Sequence, residues 1–266
     1  MEITGNTRIS AIIADPIHHV KTPQGINARL DELRVDGVLV PVHVTADGLS
    51  AVVDGFRQMQ NFQGFIVTVP HKSAIVALCD EVDPDAARIG AVNVVCREAD
   101  GRLKGYMLDG EGFVAGLREA GIDPAGRSAY LAGAGGAANA IAFALARAGV
   151  TRLTIANRTA SKAEGLIQRV AGAYPEVPCH IGGRDANGHD LVVNATSLGL
   201  HEDDALPLDA DSLDAGQIVA EIIMQPAQTA LLAAAEARGC RTHPGLPMLQ
   251  NQLKLMTRIL GFVDND

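Results

Sequence analysis

Residues 128–149 read SAYLAGAGGAANAIAFALARAG. A short run of strand formers gives way to Gly133-Ala134-Gly135-Gly136-Ala137, and then to an alanine- and leucine-rich stretch that reads as a helix. Glycine at a strand-to-helix turn lets the backbone come close to a pyrophosphate, while the helix N-terminus offers unpaired amides and the positive end of its dipole. Glycine-rich turns also serve merely as connectors. Here the strand before and the helix after supply the context that a dinucleotide-binding reading requires.

The second apolar run, RLTIAN (152–157), ends in Asn157-Arg158-Thr159, with Lys162 just beyond. This is about twenty residues past the glycines, where an NAD site places an Asp or Glu on the ribose diol. An arginine there instead pairs with a 2′-phosphate in a planar, charge-assisted geometry that a carboxylate would repel. A lone arginine is ordinarily a surface residue; the position of this one selects the phosphate reading. The expected cofactor is NADP.

Outward from this core, β-branched and aliphatic runs recur at ISAIIA (9–14), VLVPVHV (38–44), GFIVTV (64–69), AVNVVC (91–96), SAYLAG (128–133), RLTIAN, DLVVNA (190–195) and QIVAEII (217–223). They are separated mostly by helix-like segments, which predicts an α/β fold of parallel sheets with crossover helices. Residues 1–110 are expected to form an α/β catalytic, substrate-binding domain and residues 111–240 a Rossmann-type NADP-binding domain. Residues 241–266 carry MLQNQLKLMTRILGF (248–262), whose apolar spacing suits a closing helix that returns to the first domain. Such an arrangement places the active site where the two domains face each other.

The bulk numbers exclude several function classes. With 266 residues, 47% hydrophobic and 20% charged, the chain falls among soluble globular proteins. No run approaches the roughly 18 apolar residues of a membrane span, and the start lacks a basic segment followed by a long apolar one, so a cytoplasmic location is expected. A net charge of −9 gives no broad basic footprint for nucleic acid or anionic lipid. The absence of tryptophan and only 3% aromatics leave few platforms for base stacking. Cys79, Cys96, Cys179 and Cys240 are scattered and form no C-x-x-C pair. His18 and His19 are adjacent, but no third ligand has suitable spacing, so no metal is expected. The expected partner is a small molecule, bound by a monomer or homodimer, which a family resemblance narrows to a cyclic hydroxy acid or polyol.

Eight segments in order, PIHHVKTP (16–23), IVTVPHK (66–72), GAVNVV (90–95), GYMLDGEGF (105–113), GAGGAA (133–138), NRT (157–159), NATSLGL (194–200) and GLPMLQNQ (245–252), cover nearly the entire chain. Together they resemble the shikimate dehydrogenase family. The resemblance implies reversible hydride transfer between NADP and a ring alcohol, with Lys72 and Asp109 as the polar pair beside the reacting oxygen. Hydride removal from a carbinol carbon requires loss of the hydroxyl proton, which a lysine close to a carboxylate can shuttle or stabilise. By the same match Asn93 and Gln252 would hydrogen-bond substrate hydroxyls, and Thr68 would line the same wall. Thr196 and Ser197 would belong to the cofactor side, with Gly245 and Met248 near the nicotinamide end.

The sequence departs from the family pattern at the substrate. The carboxylate turn usually carries two serines, and here they are Val20 and Thr22. The asparagine expected before Val-Thr is Ile66, the Asn-Thr before the aspartate is Met107-Leu108, and the tyrosine two residues before Pro226 is Met224. Each lost hydrogen bond to a charged ligand group costs roughly 1.5–3 kcal/mol. Poor shikimate turnover is therefore expected, in favour of a less polar or differently substituted alcohol. An NAD-dependent quinate/shikimate dehydrogenase is the second enzyme reading, which Arg158 and Lys162 disfavour. A non-catalytic cofactor-sensing protein is disfavoured by the intact Lys72 and Asp109.

Overall fold

The computed structural model describes residues 2–18 and 20–263; His19, half of the histidine pair weighed as a metal site, lies outside the described residues. The chain divides into two units, Met1–Leu108 with Leu253–Asp266, and Asp109–Gln252.

In the first unit β1 (Arg8–Ala14) runs parallel to β2 (Gly37–His43) after α1 (Thr22–Glu32), and parallel to β3 (Phe62–Val67) after α2 (Leu49–Gln58). Then follow β4 (Glu81–Val82), α3 (Pro84–Ile89), β5 (Val94–Arg97) and β6 (Leu103–Tyr106). The side chain of Asp83 caps α3 by accepting from the amides of Asp85 and Ala86, and Gly90 ends it in the left-handed conformation. Strand order is β2-β1-β3-β5-β6-β4. This sheet is mixed rather than parallel as expected, because β5 is antiparallel to both β3 and β6. For the β5–β6 pair the cause is local: residues 98–102 turn back at once through Gly101 (φ +87), far too short a connection for a crossover helix. The core of this unit gathers Ile12, Ile26, Leu39, Ile66, Val94 and Leu108, closed by Met256 and Leu260.

The second unit begins with α4 (Asp109–Glu119), followed by β7 (Ser128–Ala132), α5 (Gly136–Arg147), β8 (Arg152–Ala156), α6 (Ala160–Ala173) and β9 (Cys179–Ile181). Its second half is β10 (Leu191–Asn194), β11 (Ile218–Glu221), α7 (Ala230–Ala237), β12 (Arg241–His243) and α8 (Leu246–Ile259), and the division between units falls within α8. The order β12-β11-β10-β7-β8-β9 is parallel throughout, the doubly wound arrangement in which the chain reverses direction across the sheet between β7 and β10. Ligands of such sheets bind outside the carboxyl ends of the strands at that reversal. Helices α4 and α5 meet without intervening side chain: a Cβ on Gly110 would lie 2.1 Å from the carbonyl oxygen of Ala140. Among the described residues no helix is long and apolar enough to cross a membrane.

Candidate active site

The expected cofactor residues are built around the end of β7. Gly133 follows it with φ +116, and a Cβ there would stand 2.9 Å from the carbonyl oxygen of Ala195, so no other residue fits without strain. Gly135, extended, precedes α5, and beside Gly135 and Gly136 a Cβ would meet nothing within 4 Å. The helix terminus is thus open to a ligand on its glycine face. A cavity of about 670 Å³ lies over it. Of the expected cofactor residues, Gly133, Ala134, Gly135, Asn157, Arg158, Thr196 and Ser197 line this cavity; Gly136, Ala137, Thr159, Lys162, Gly245 and Met248 do not. Gly182, Gly183 and Arg184 line it too, and sequence reading missed them. Among the described residues no carboxylate lines the cavity, which suits a phosphorylated ribose and not a bare diol.

The far wall of the cavity is set by one asparagine. Asn194 Oδ1 accepts from the Thr196 amide (3.0 Å) and hydroxyl (2.7 Å), while its Nδ2 donates to the Leu198 carbonyl (3.0 Å) and to Glu221 Oε1 (2.9 Å). Glu221 is fully buried and also accepts from the Thr229 hydroxyl at 2.7 Å. Burial pushes its carboxyl above the usual glutamate range, more than the Asn194 and Thr229 bonds pull it down. A carboxyl raised on folding stabilises the fold below its unfolded value and loses that contribution as pH climbs through the folded value. The stability of the wild type relative to Glu221→Gln is therefore expected to fall as pH rises from the ordinary glutamate value toward neutrality. Urea denaturation of both proteins across that window reads it directly; a constant difference would remove Glu221 as the titrating group.

In the first unit the segments that carry the expected substrate residues are tied together by Asn93. It is buried; its main chain accepts from Val67 N (2.8 Å) and donates to Tyr106 O (2.9 Å), and its side-chain Oδ1 accepts from Leu108 N at 2.8 Å. One residue therefore joins the ends of β3 and β6 to the peptide just before Asp109. Half-buried Lys72 is held in the same web, since its carbonyl accepts from Val92 N at 2.8 Å. Thr68 is half-buried and accepts from His71 N through its carbonyl (2.9 Å). His71 is buried with Nε2 2.7 Å from the Val44 carbonyl, which makes it a packing residue. Thr22 opens α1 ahead of Pro23.

The apolar departures do not form one wall. Ile66 and Leu108, expected to line the pocket, lie in the core of the first unit, with Val20 leaning on that core from its edge. Met107 is buried, whereas Met224 is 43% exposed. Returning Asn to position 66 and Thr to position 108 is expected to destabilise the protein by about 1–3 kcal/mol per buried polar group left without a partner. Chemical denaturation measures this, and unchanged stability would put both side chains back at the pocket.

Asp109 is the first residue of α4 and is buried, and its Oδ1 accepts from Gln252 Nε2 at 3.0 Å. The approach of α8 that delivers Gln252 depends on Gly112, where a Cβ would fall 2.5 Å from Gln252 Cγ. Farther along the same segment Gly245 packs on the backbone of Ile222 and Ile223, leaving 2.4 Å for a Cβ.

A profile of the shikimate dehydrogenase substrate binding domain matches residues 12–95, and one of shikimate / quinate 5-dehydrogenase matches residues 118–199. A shikimate dehydrogenase (NADP(+)) of Rubrobacter xylanophilus is 44% identical over 269 residues, which span 99% of this chain and 94% of that one. The chain belongs to the shikimate dehydrogenase family. Solved members agree in fold: shikimate 5-dehydrogenase from Listeria monocytogenes, in complex with shikimate and NAD, superposes with TM-score 0.93 at 32% identity over 99% of this chain and 95% of its own. The ligand-free 5-ketofructose reductase of a Gluconobacter strain superposes with TM-score 0.91 at 34% identity over 99% and 96%. The family expectation drawn from the eight segments is borne out, and with it the α/β, Rossmann-type architecture.

Proposed function

We propose that this NADP-dependent oxidoreductase transfers hydride reversibly between its cofactor and the carbinol carbon of an uncharged cyclic polyol, with shikimate a poor substrate. The carrying observation is Val20: at the turn where the family keeps a carboxylate-binding serine, a hydrocarbon side chain packs toward the core of the unit. Exposed Met224 in place of tyrosine removes a second polar group. The likeness to a 5-ketofructose reductase supports a substrate that lacks a carboxylate. Bound NADP supplies the hydride acceptor. The glycine loop and the α5 terminus receive its pyrophosphate, and Arg158 pairs with its 2′-phosphate. Lys72 and Asp109 take up and return the hydroxyl proton, Gln252 orients Asp109, and Thr22, Thr68 and Asn93 stand on the substrate side. The first unit serves as the substrate domain and the second as the cofactor domain of a cytoplasmic monomer or homodimer.

Two measurements test this reading. In a screen of NADP reduction against shikimate, quinate and neutral cyclic polyols, a neutral polyol is expected to be used best, and Val20→Ser with Met224→Tyr to raise kcat/KM for shikimate at least about tenfold, roughly one hydrogen bond to a charged group. Wild-type shikimate kcat/KM above about 10⁴ M⁻¹s⁻¹ would defeat the specificity reading. Calorimetry with NADP and NAD is expected to show preference for NADP in the wild type and its collapse in Arg158→Ala. Equal wild-type affinities would overturn the assignment of Arg158.

A further inference from the structure

Among the described residues the cofactor cavity has two charged lining residues, and both are cations: Arg158, after β8, and Arg184, three residues past the end of β9. Two arginines lining one cavity, in a chain with net charge −9, are not explained by general surface composition. Nor is Arg184 on a loose loop. Gly182 donates to Ile155 O (2.9 Å), and a Cβ on it would sit 2.7 Å from Thr154 Cγ2, so the chain passes flush against β8. The buried Tyr130 hydroxyl donates to Gly183 O at 2.6 Å, and burial pushes that phenol up to about 12, so it keeps its proton. Arg184 O accepts from Asp209 N (2.8 Å), and Arg184 Nη2 donates to Leu208 O at 3.2 Å. The backbone is thus fixed on three sides and the head is steered by a single carbonyl. A guanidinium has five N–H donors, so this contact leaves most of the fork for a ligand. Neighbouring Asp185 is occupied locally, accepting from Asn187 N at 2.9 Å, and does not line the cavity.

We infer that Arg184 is a second specificity-determining residue for the cofactor, holding the 2′-phosphate from the β9 side while Arg158 holds it from the β8 side. The inference rests on the assignment of Arg158 to that phosphate. A 2′-phosphate carries nearly two negative charges at neutral pH, more than one guanidinium neutralises, and bidentate pairing from two forks satisfies more of its oxygens. It also explains why three consecutive residues of an edge-strand loop are built so tightly around a charged side chain.

The pair 2′,5′-ADP and 5′-AMP differ only in the 2′-phosphate and need no turnover, so their binding to the full chain by calorimetry isolates the effect. Arg184→Gln, which keeps a donor for Leu208 O, is expected to weaken 2′,5′-ADP at least about tenfold and to change 5′-AMP less than about twofold. Arg184→Lys should recover part of the loss, and the thermal midpoints of both variants should match the wild type. With Arg158→Ala the two losses should combine non-additively, because both groups act on one phosphate. Unchanged 2′,5′-ADP affinity in Arg184→Gln, while Arg158→Ala collapses it, overturns the inference and leaves the assignment of Arg158 standing. Equal losses for both ligands also overturn it, since they would assign Arg184 to the adenine. A wild type that binds both ligands equally removes the Arg158 assignment itself and the inference with it.

Discussion

Lys72→Ala and Asp109→Asn are each expected to lower kcat by at least about a hundredfold, the lower end of what positioned acid–base groups contribute, with 2′,5′-ADP binding retained. The hydroxyl proton must leave as the carbinol hydrogen departs with its electron pair. Without an acceptor at that oxygen, an alkoxide would form unsupported. Asp109→Asn keeps the shape of the side chain and a partner for Gln252, so its effect reports the lost charge. Steady-state kinetics on the best polyol of the screen, beside calorimetry on the same preparations, checks the expectation. Near-normal turnover in either variant would exclude that residue from proton transfer.

The largest stability effect is expected at Gly110. In Gly110→Ala the new methyl would stand 2.1 Å from Ala140 O and 2.7 Å from Ala144 Cβ, contacts that no rotamer change relieves because the first is backbone. α4 and α5 must separate, at a cost of about 3 kcal/mol, the upper end for overpacking a rigid interface, or roughly 6–12 °C in Tm for a chain of this size. Gly55→Ala in α2 is the control: nothing lies within 4 Å of its Cβ, and helix propensity alone should raise stability by roughly 0.5–1 kcal/mol. Scanning calorimetry of the two variants should move in opposite directions. A Gly110→Ala protein as stable as the wild type would mean that the helices are not in close contact.

What the sequence revealed was what is local in it. All eight apolar runs are strands, and the glycine loop was legible because strand, turn and helix follow one another directly. The four strands it hid, β4, β6, β9 and β12, have two to four residues and each include a charged residue or a histidine; they exist because neighbouring strands offer them a ladder. Missing β9 is why Arg184 went unseen, since nothing else brings residue 184 toward residue 158. Comparison with the family pattern detected that Ile66 and Leu108 had lost polar groups but not that they face a core, because orientation depends on partners far away in sequence. The Asn194, Glu221 and Thr229 cluster was invisible for the same reason.

The way Asn93 is used bears on how a catalyst of this kind changes its diet. On the proposed assignment, the segment of Lys72 and the peptide that leads into Asp109 are tied to β3, β5 and β6 through main-chain bonds and one carboxamide, a scaffold that uses no pocket side chain other than Asn93. Val20 and Met224 lie outside that scaffold, before α1 and between β11 and α7. If those two positions select the substrate as proposed, mutations there would change which alcohol is admitted without loosening the reacting groups, so a lineage could sample new substrates in single steps while its chemistry stays in working order.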